Sequence, residues 1–256
     1  MHPNHLEDFK VLLHGAGWKP ISFVDIFKKV TFTLWLCGCN LKCPFCHNYR
    51  LAEAHPEACR ILDVKTLIDK LNASKIYIDY FLVSGGEPLL QSRELSKLLT
   101  HIKNLMDVKV GVNTNLTFPK EIRGMLEKNL IDFIATDIKA PHSELYGLPE
   151  EESERLWNSY LESLRIVSEQ KILLEVRVPV LKKFDFKMFK SEVKEANDIL
   201  KGSECKYYIR VNPILGQPYT IPRNSLWAQE HCTPSSKNVR LVHEILIELG
   251  LGDKIV

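Results

Sequence analysis

Residues 30–48 read VTFTLWLCGCNLKCPFCHN. In the first seven, Val30, Phe32, Leu34 and Leu36 alternate with Thr31, Thr33 and Trp35, the period of two that marks a strand. That strand runs into a loop holding Cys37, Cys39, Cys43 and Cys46, four of the chain's seven cysteines. Outward from this point, strand-like and helix-like segments take turns. Helical spacing covers 61–75, the apolar run YFLVS at 80–84 stops at Gly85-Gly86, and a helix runs through 92–105. Strands follow in VKVGVNTN (108–115), IDFIATDIK (131–139), ILLEVRVPV (172–180) and KYYIRVN (206–212). Helices over 118–130, 150–170 and 185–201 separate them, and one over 236–249 closes the series. Six β–α units in succession predict an α/β fold, a parallel sheet with helices outside. Right-handed crossovers let such a sheet close into a barrel or stay open and doubly wound.

In both architectures ligands gather at the C-terminal strand ends, and there the residues of unusual chemistry sit. They are the cysteine loop, Gly85-Gly86-Glu87-Pro88, Asn113 with Asn115, Asp137 with Lys139, Arg177, and Asn212. A Gly-Gly pair lets backbone approach a ligand closely, or simply ends a strand. Glu87, an acceptor when ionised, suits an ammonium group, or serves as an acid at a helix N-terminus. Asn113 and Asn115 share one strand face, as do Asp137 and Lys139. Such polar groups are costly inside a sheet unless used, and a structural ion pair is the plain alternative for Asp137 and Lys139. Glu175 and Arg177 share a face too, turned either to the site or to helices and solvent. The one long irregular stretch is 216–235, where Pro218, Pro222 and Pro234 oppose a continuous helix. Its Tyr219, Trp227 and His231 are expected to cover an open sheet edge and to meet substrate.

Composition is that of an ordinary globular chain, 45% hydrophobic and 26% charged over 256 residues, enough to bury a sizeable core without disulfide staples. The net charge is +2 with no long run of like charge, so nucleic acid is not an expected partner. No apolar run reaches membrane-span length, and MHPNHLEDFK is not a secretory signal. The expectation is a cytoplasmic protein, where clustered cysteines point to metal or redox chemistry rather than to disulfides.

Cys39, Cys43 and Cys46 form C-x-x-x-C-x-x-C. That spacing lets one loop give a thiolate to each of three irons of a cuboidal 4Fe-4S cluster, leaving the fourth open to a small molecule. Four thiolates including Cys37 would instead suit structural zinc, although such sites usually draw ligand pairs from two separate knuckles. His47 follows the last cysteine and is not expected to ligate.

Two motifs together carry a resemblance. Cys39, Cys43, Phe45 and Cys46 after the first strand, with Gly85, Gly86, Glu87 and Pro88 after the second, resemble the radical S-adenosylmethionine signature. CNLKCPFCHN, VSGGEP and IDFIATDIKA look more particularly like activases of glycyl-radical enzymes, those of anaerobic ribonucleotide reductase and pyruvate formate-lyase, over residues 18–215. The resemblance implies a partial (β/α)6 TIM-type barrel. It assigns Cys39, Cys43 and Cys46 to the cluster and leaves Cys37 as a buried thiol. It implies S-adenosylmethionine as cofactor, with Gly85, Gly86 and Glu87 at its amino group and Phe45 near its adenine. Asn113, Asn115, Asp137, Lys139, Arg177 and Asn212 complete the expected cofactor set, although Asn113 stands where the activases carry Asp. The implied reaction is reductive cleavage to methionine and a 5′-deoxyadenosyl radical, which takes a hydrogen atom from a glycine of a partner glycyl-radical enzyme. A low-potential donor such as flavodoxin or ferredoxin would supply the electron. The same motifs would serve a radical enzyme acting on a small molecule, an RNA base or a peptide, and a non-catalytic metal-binding module is the third reading. No second cluster domain is expected, since Cys59, Cys205 and Cys232 are scattered. The expected organisation is an N-terminal extension over 1–29 packed on the core, the core over 30–215, and a loop with a C-terminal helix over 216–256 completing one domain.

Overall fold

The computed structural model describes residues 10–256, so residues 1–9 of the expected N-terminal extension lie outside the described residues. The chain gathers into two compact units. The first comprises the residues up to Asn40, Arg50–Asn113 and Glu127–Asp132; the second comprises Leu41–Tyr49, Thr114–Leu126 and Phe133–Val256.

In the first unit the extension supplies a strand that the sequence does not suggest, β1 (His14–Ser22). It pairs antiparallel with β2 (Thr31–Leu36), and β3 (Arg60–Ile61), which follows the short helix α1 (Tyr49–Ala52), pairs antiparallel with β1. Gly15, Gly17 and Pro20 hide β1 from a propensity reading, because glycine and proline are poor strand formers. Gly15 is nonetheless required: a Cβ there would lie 2.5 Å from the Trp35 carbonyl oxygen. β2, β4 (Tyr80–Gly85) and β5 (Lys109–Asn113) run parallel, with Leu34 beside Val83 and Val83 beside Val112. Both faces of β2 are covered: Phe32, Leu34, Thr31 and Thr33 are all fully buried, as parallel strands require. The two threonine hydroxyls donate to Asp25 at 3.1 and 2.8 Å, so neither of them is left without an acceptor. Helix α2 (Val64–Ser74) starts where Asp63 accepts from the Thr66 amide, an N-cap. Helix α3 (Ser92–Leu105) buries Leu95, Leu98, Leu99 and Ile102, the i, i+3, i+4, i+7 stripe of an amphipathic helix.

In the second unit β6 (Phe133–Asp137), β7 (Leu173–Val180) and β8 (Lys206–Pro213) run parallel, and the register sets Asp137 beside Arg177 and Arg177 beside Arg210. Helix α4 (Pro119–Glu127) precedes β6. After β6 come the short helix α5 (His142–Leu145) and the long α6 (Glu150–Ser168), which buries Leu156, Trp157, Tyr160, Leu161 and Leu164. Helix α7 (Phe186–Leu200) begins at an N-cap, Asp185, whose carboxylate accepts two backbone amides. Residues 216–235 contain a helix after all, α8 (Ser225–His231), capped by Asn224. Pro222 and Pro234 bracket it rather than interrupt it. Helix α9 (Ser236–Glu248) opens on a reciprocal capping box between Ser235 and Asn238.

Candidate active site

The cysteine loop leaves β2 under tight control. The Cys37 amide donates to His14 O at 2.9 Å, and Gln91 Nε2 donates to Cys37 O at 3.0 Å. The Cys37 side chain is buried and joined to Cys59 in a disulfide, which corrects the expectation of a free buried thiol. The spacing of Cys59 in the sequence carries no sign of this pairing. Gly38 follows with φ +92°, its amide bonded to Leu51 O at 2.8 Å and its oxygen accepting the Glu87 amide at 2.7 Å. The Gly-Gly-Glu turn therefore lies directly against the start of the cysteine loop. Cβ atoms at Gly85 and Gly86 would stand 2.1 Å from Leu36 O and from Gly38 O. Glycine is needed there for backbone-on-backbone packing. Glu87 is fully buried, and its Oε1 accepts the Leu89 amide at 2.9 Å, as the acid at the start of the 310 turn Pro88–Gln91.

In the second unit, residues 41–49 carry Cys43 and Cys46, and other segments of that unit hold this part of the loop from two directions. The Lys42 amide donates to Tyr146 O at 2.9 Å, and a Cβ at Gly147, whose φ is +68°, would meet Lys42 O at 2.1 Å. From residues 216–235, the Arg223 amide donates to Cys46 O and the Asn224 amide to Pro44 O, each at 3.0 Å, and the Arg223 guanidinium donates to Cys43 O at 3.2 Å. Phe45 packs near Trp227 with centroids 6.4 Å apart, and Trp227 stacks on His231 at 4.3 Å. Sequence reasoning singled out neither Arg223 nor Gly147. Cys39, Cys43 and Cys46 take no part in a disulfide.

At the end of β6, Asp137 accepts from Lys139 Nζ and from Arg177 Nε, both at 2.7 Å. Burial alone would raise the Asp137 pKa, but Arg177 and Lys139 outweigh it and hold the carboxyl far below its ordinary value. Burial pulls the Lys139 pKa down, and the charges of Asp137 and Cys43 more than reverse it. Behind Arg177 lies Glu175, fully buried, which accepts from Tyr208 Oη at 2.6 Å and Arg210 NH1 at 3.2 Å. Glu175 and Arg177 thus belong to the charged array and not to a solvent face. Asn113 Nδ2 donates to Ser84 Oγ at 3.0 Å within the first unit. Asn115 Oδ1 accepts the Thr117 amide and hydroxyl at 3.0 and 2.7 Å, so that oxygen shapes a turn. Asn212 is exposed at the end of β8.

Three cysteines on one loop that take no part in a disulfide, and an array of charge at the ends of β6 and β7, are the features of unusual chemistry in this α/β chain. The chain belongs to the radical SAM superfamily, whose model matches residues 34–196. It is 28% identical over 170 residues, covering 66% of this chain and 68% of the relative, to a Methanocaldococcus jannaschii protein called "Putative glycyl-radical enzyme activating enzyme". It is 31% identical over 135 residues to the pyruvate formate-lyase-activating enzyme of Staphylococcus aureus, which it matches over 46% of this chain and 51%, about half, of that protein. The crystal structure of a radical SAM methyltransferase from Sphaerobacter thermophilus, 15% identical, superposes with TM-score 0.57 over 92% of this chain and 67% of its own. The shared fold is α/β with mostly parallel strands, in keeping with a partial (β/α)6 barrel.

The family implies an enzyme that uses a 4Fe-4S cluster and S-adenosylmethionine. Among the described residues no three His, Cys, Asp or Glu side chains stand grouped as a metal site. The fit therefore rests on the donors: three thiols on one loop, none of them in a disulfide, the ligand type such clusters take. Among the described residues no helix is long and apolar enough to cross a membrane.

Proposed function

We propose that the protein is an activating enzyme that takes a hydrogen atom from a glycine of a partner glycyl-radical enzyme. The observation that carries this reading is the likeness to the M. jannaschii relative across two thirds of both chains. The pyruvate formate-lyase-activating relative points the same way over a shorter span. Cys39, Cys43 and Cys46 would hold the cluster, with the Cys37 thiol withdrawn from competition by its bond to Cys59. When bound, cluster and S-adenosylmethionine supply an electron and a carbon-centred radical.

The chain's own residues hold and aim. Lys139, kept protonated by Asp137, offers an ammonium at a strand end to a ligand carboxylate. Asp137 also fixes the plane of Arg177, whose fork suits a carboxylate or a ribose. Gly85, Gly86 and Glu87 would meet the cofactor's amino group, Phe45 its adenine, and Asn113, Asn115 and Asn212 its ribose and carboxylate edges. The low-potential donor is of the flavodoxin or ferredoxin kind, and the protein works in the cytoplasm. The test is isotope transfer. Reduced protein, S-adenosylmethionine and a candidate partner carrying deuterated glycine should yield 5′-deoxyadenosine with one deuterium. Product without deuterium, at a rate the partner does not change, would remove the activase reading and leave a radical enzyme with another substrate.

A further inference from the structure

His142, the first residue of α5, plays no part in the site described above, yet it is 5% exposed and bonded on every polar edge. Its Nδ1 lies 2.9 Å from Glu192 Oε1, its backbone amide donates to Glu192 Oε2 at 2.9 Å, and its Nε2 lies 3.1 Å from Glu154 Oε2. The ring stacks on Trp157 at 5.4 Å and 8°, and Trp157 Nε1 donates to Glu195. An ionised carboxylate only accepts, so an imidazole facing two of them satisfies both only when both ring nitrogens carry hydrogen. The charged groups that meet the ring are Glu192 on α7 and Glu154 on α6, with Glu195 beyond Trp157. Just past its own helix the ring meets Tyr146, whose pKa burial pushes well above its ordinary value, so that phenol stays neutral where imidazole titrates.

The other end of the same short segment touches the cysteine loop. Tyr146 O takes the Lys42 amide, and Gly147 packs on Lys42 O with no room for a Cβ. Lys42 is bonded directly to Cys43. We propose that His142 is a positioning residue for the cysteine loop: as a cation between Glu192 and Glu154 it clamps α5 to α6 and α7, and α5 in turn fixes the backbone that aims Cys43. The proposal rests on the reading of Cys43 as a cluster ligand.

A pH dependence follows. Burial lowers the imidazole pKa, and the two carboxylates overturn that and leave it raised above 6.5. For a raised folded pKa the stabilisation is complete below the unfolded value and is lost as pH rises through the folded one. Loss of the proton leaves one nitrogen facing a carboxylate with no hydrogen between them. Glu154, with its side chain 60% exposed, can swing out into water, whereas Glu192 is buried. The latch therefore opens on the α6 side.

The experiment follows cluster loss to a chelator, by visible absorbance, in reconstituted protein from about pH 6 to about pH 9. Wild type should lose its cluster several-fold faster at the alkaline end, with an inflection above 6.5. Glu154→Gln, a substitution at an exposed side chain, should move the inflection to lower pH without changing the plateaus. His142→Gln should be fast and flat across the range. An unmoved inflection in Glu154→Gln, or a His142→Gln profile like wild type, would overturn the proposal; if His142→Gln does not fold, the Glu154→Gln inflection decides alone. Should wild type take up no cluster at all, the proposed function fails. Tryptic cleavage after Lys42 in the apoprotein then decides the latch: faster in Glu154→Gln than in wild type near pH 7 but equal near about pH 9 supports it, and equal rates throughout refute it.

Discussion

Cys37 and Cys39 lie two positions apart and have opposite fates. Cys37 is buried and bonded to Cys59, while Cys39 is in no disulfide. Cys39→Ala, Cys43→Ala or Cys46→Ala should each abolish the brown chromophore and S-adenosylmethionine cleavage, whereas Cys37→Ala should keep both, as iron analysis and product assay would show. Loss of the cluster in Cys37→Ala with retention in Cys39→Ala would mean that the ligand register is wrong. Asp137 is the second decisive residue, because its one carboxylate pairs with both Lys139 and Arg177. Asp137→Asn takes the carboxylate from Lys139 and leaves Arg177 its more distant pairing with Glu175 at 4.0 Å, and should cost about 3 kcal/mol of stability, read by denaturant unfolding. The sign is that of a depressed carboxylate pKa: the stabilisation holds above the unfolded value of about 4 and fades as pH falls through the lower folded value. The wild-type excess over Asp137→Asn should thus shrink only in acid. At this scale the thiols and charged residues were legible in the sequence because their chemistry is rare inside a sheet. The capping role of Glu87 was legible as one of its two readings, whereas the Cys37–Cys59 bond was not, since it depends on backbone positions that only the folded chain sets.

Elements were legible where burial imposes a period. The stripe over 92–105 matches α3 residue for residue, and β7 and β8 fall within one residue of their expected bounds. β1 escaped because Gly15, Gly17 and Pro20 break its pattern, and α8 because the prolines around it looked like breaks within it. The support of the cysteine loop by two later segments escaped for a different reason: it runs through backbone atoms, which carry no sequence signature. Its consequences can be measured. Gly147→Ala places a Cβ 2.1 Å from Lys42 O at φ +68°, so the left-handed cost of about 1 kcal/mol is joined by a backbone clash. That variant should fold with a shifted cysteine loop and bind iron poorly. Arg223→Ala keeps the amide bond to Cys46 O but loses the guanidinium contact to Cys43 O. It should still bind iron and lose it to a chelator faster than wild type, a difference visible by absorbance. If both variants hold iron as firmly as wild type, these two segments do not position the loop.

Among the described residues, the parallel pairing of β2, β4 and β5 in one unit and of β6, β7 and β8 in the other was legible from the succession of strand-like and helix-like segments. What no local pattern gives is the substrate, because fold and cofactor chemistry are common to a superfamily whose members act on many different molecules. The proposed activity depends on the hydrogen atom coming from a glycine on a partner protein. The most direct measurement is electron paramagnetic resonance on an anaerobic mixture of reconstituted, reduced protein, S-adenosylmethionine and a candidate glycyl-radical enzyme. The expected result is a stable organic signal split into a doublet by the remaining glycine α-hydrogen, collapsing to a singlet when that glycine is deuterated and absent from the Cys43→Ala protein. A mixture that consumes S-adenosylmethionine through an intact cluster yet gives no glycine-centred signal with any candidate partner would contradict it.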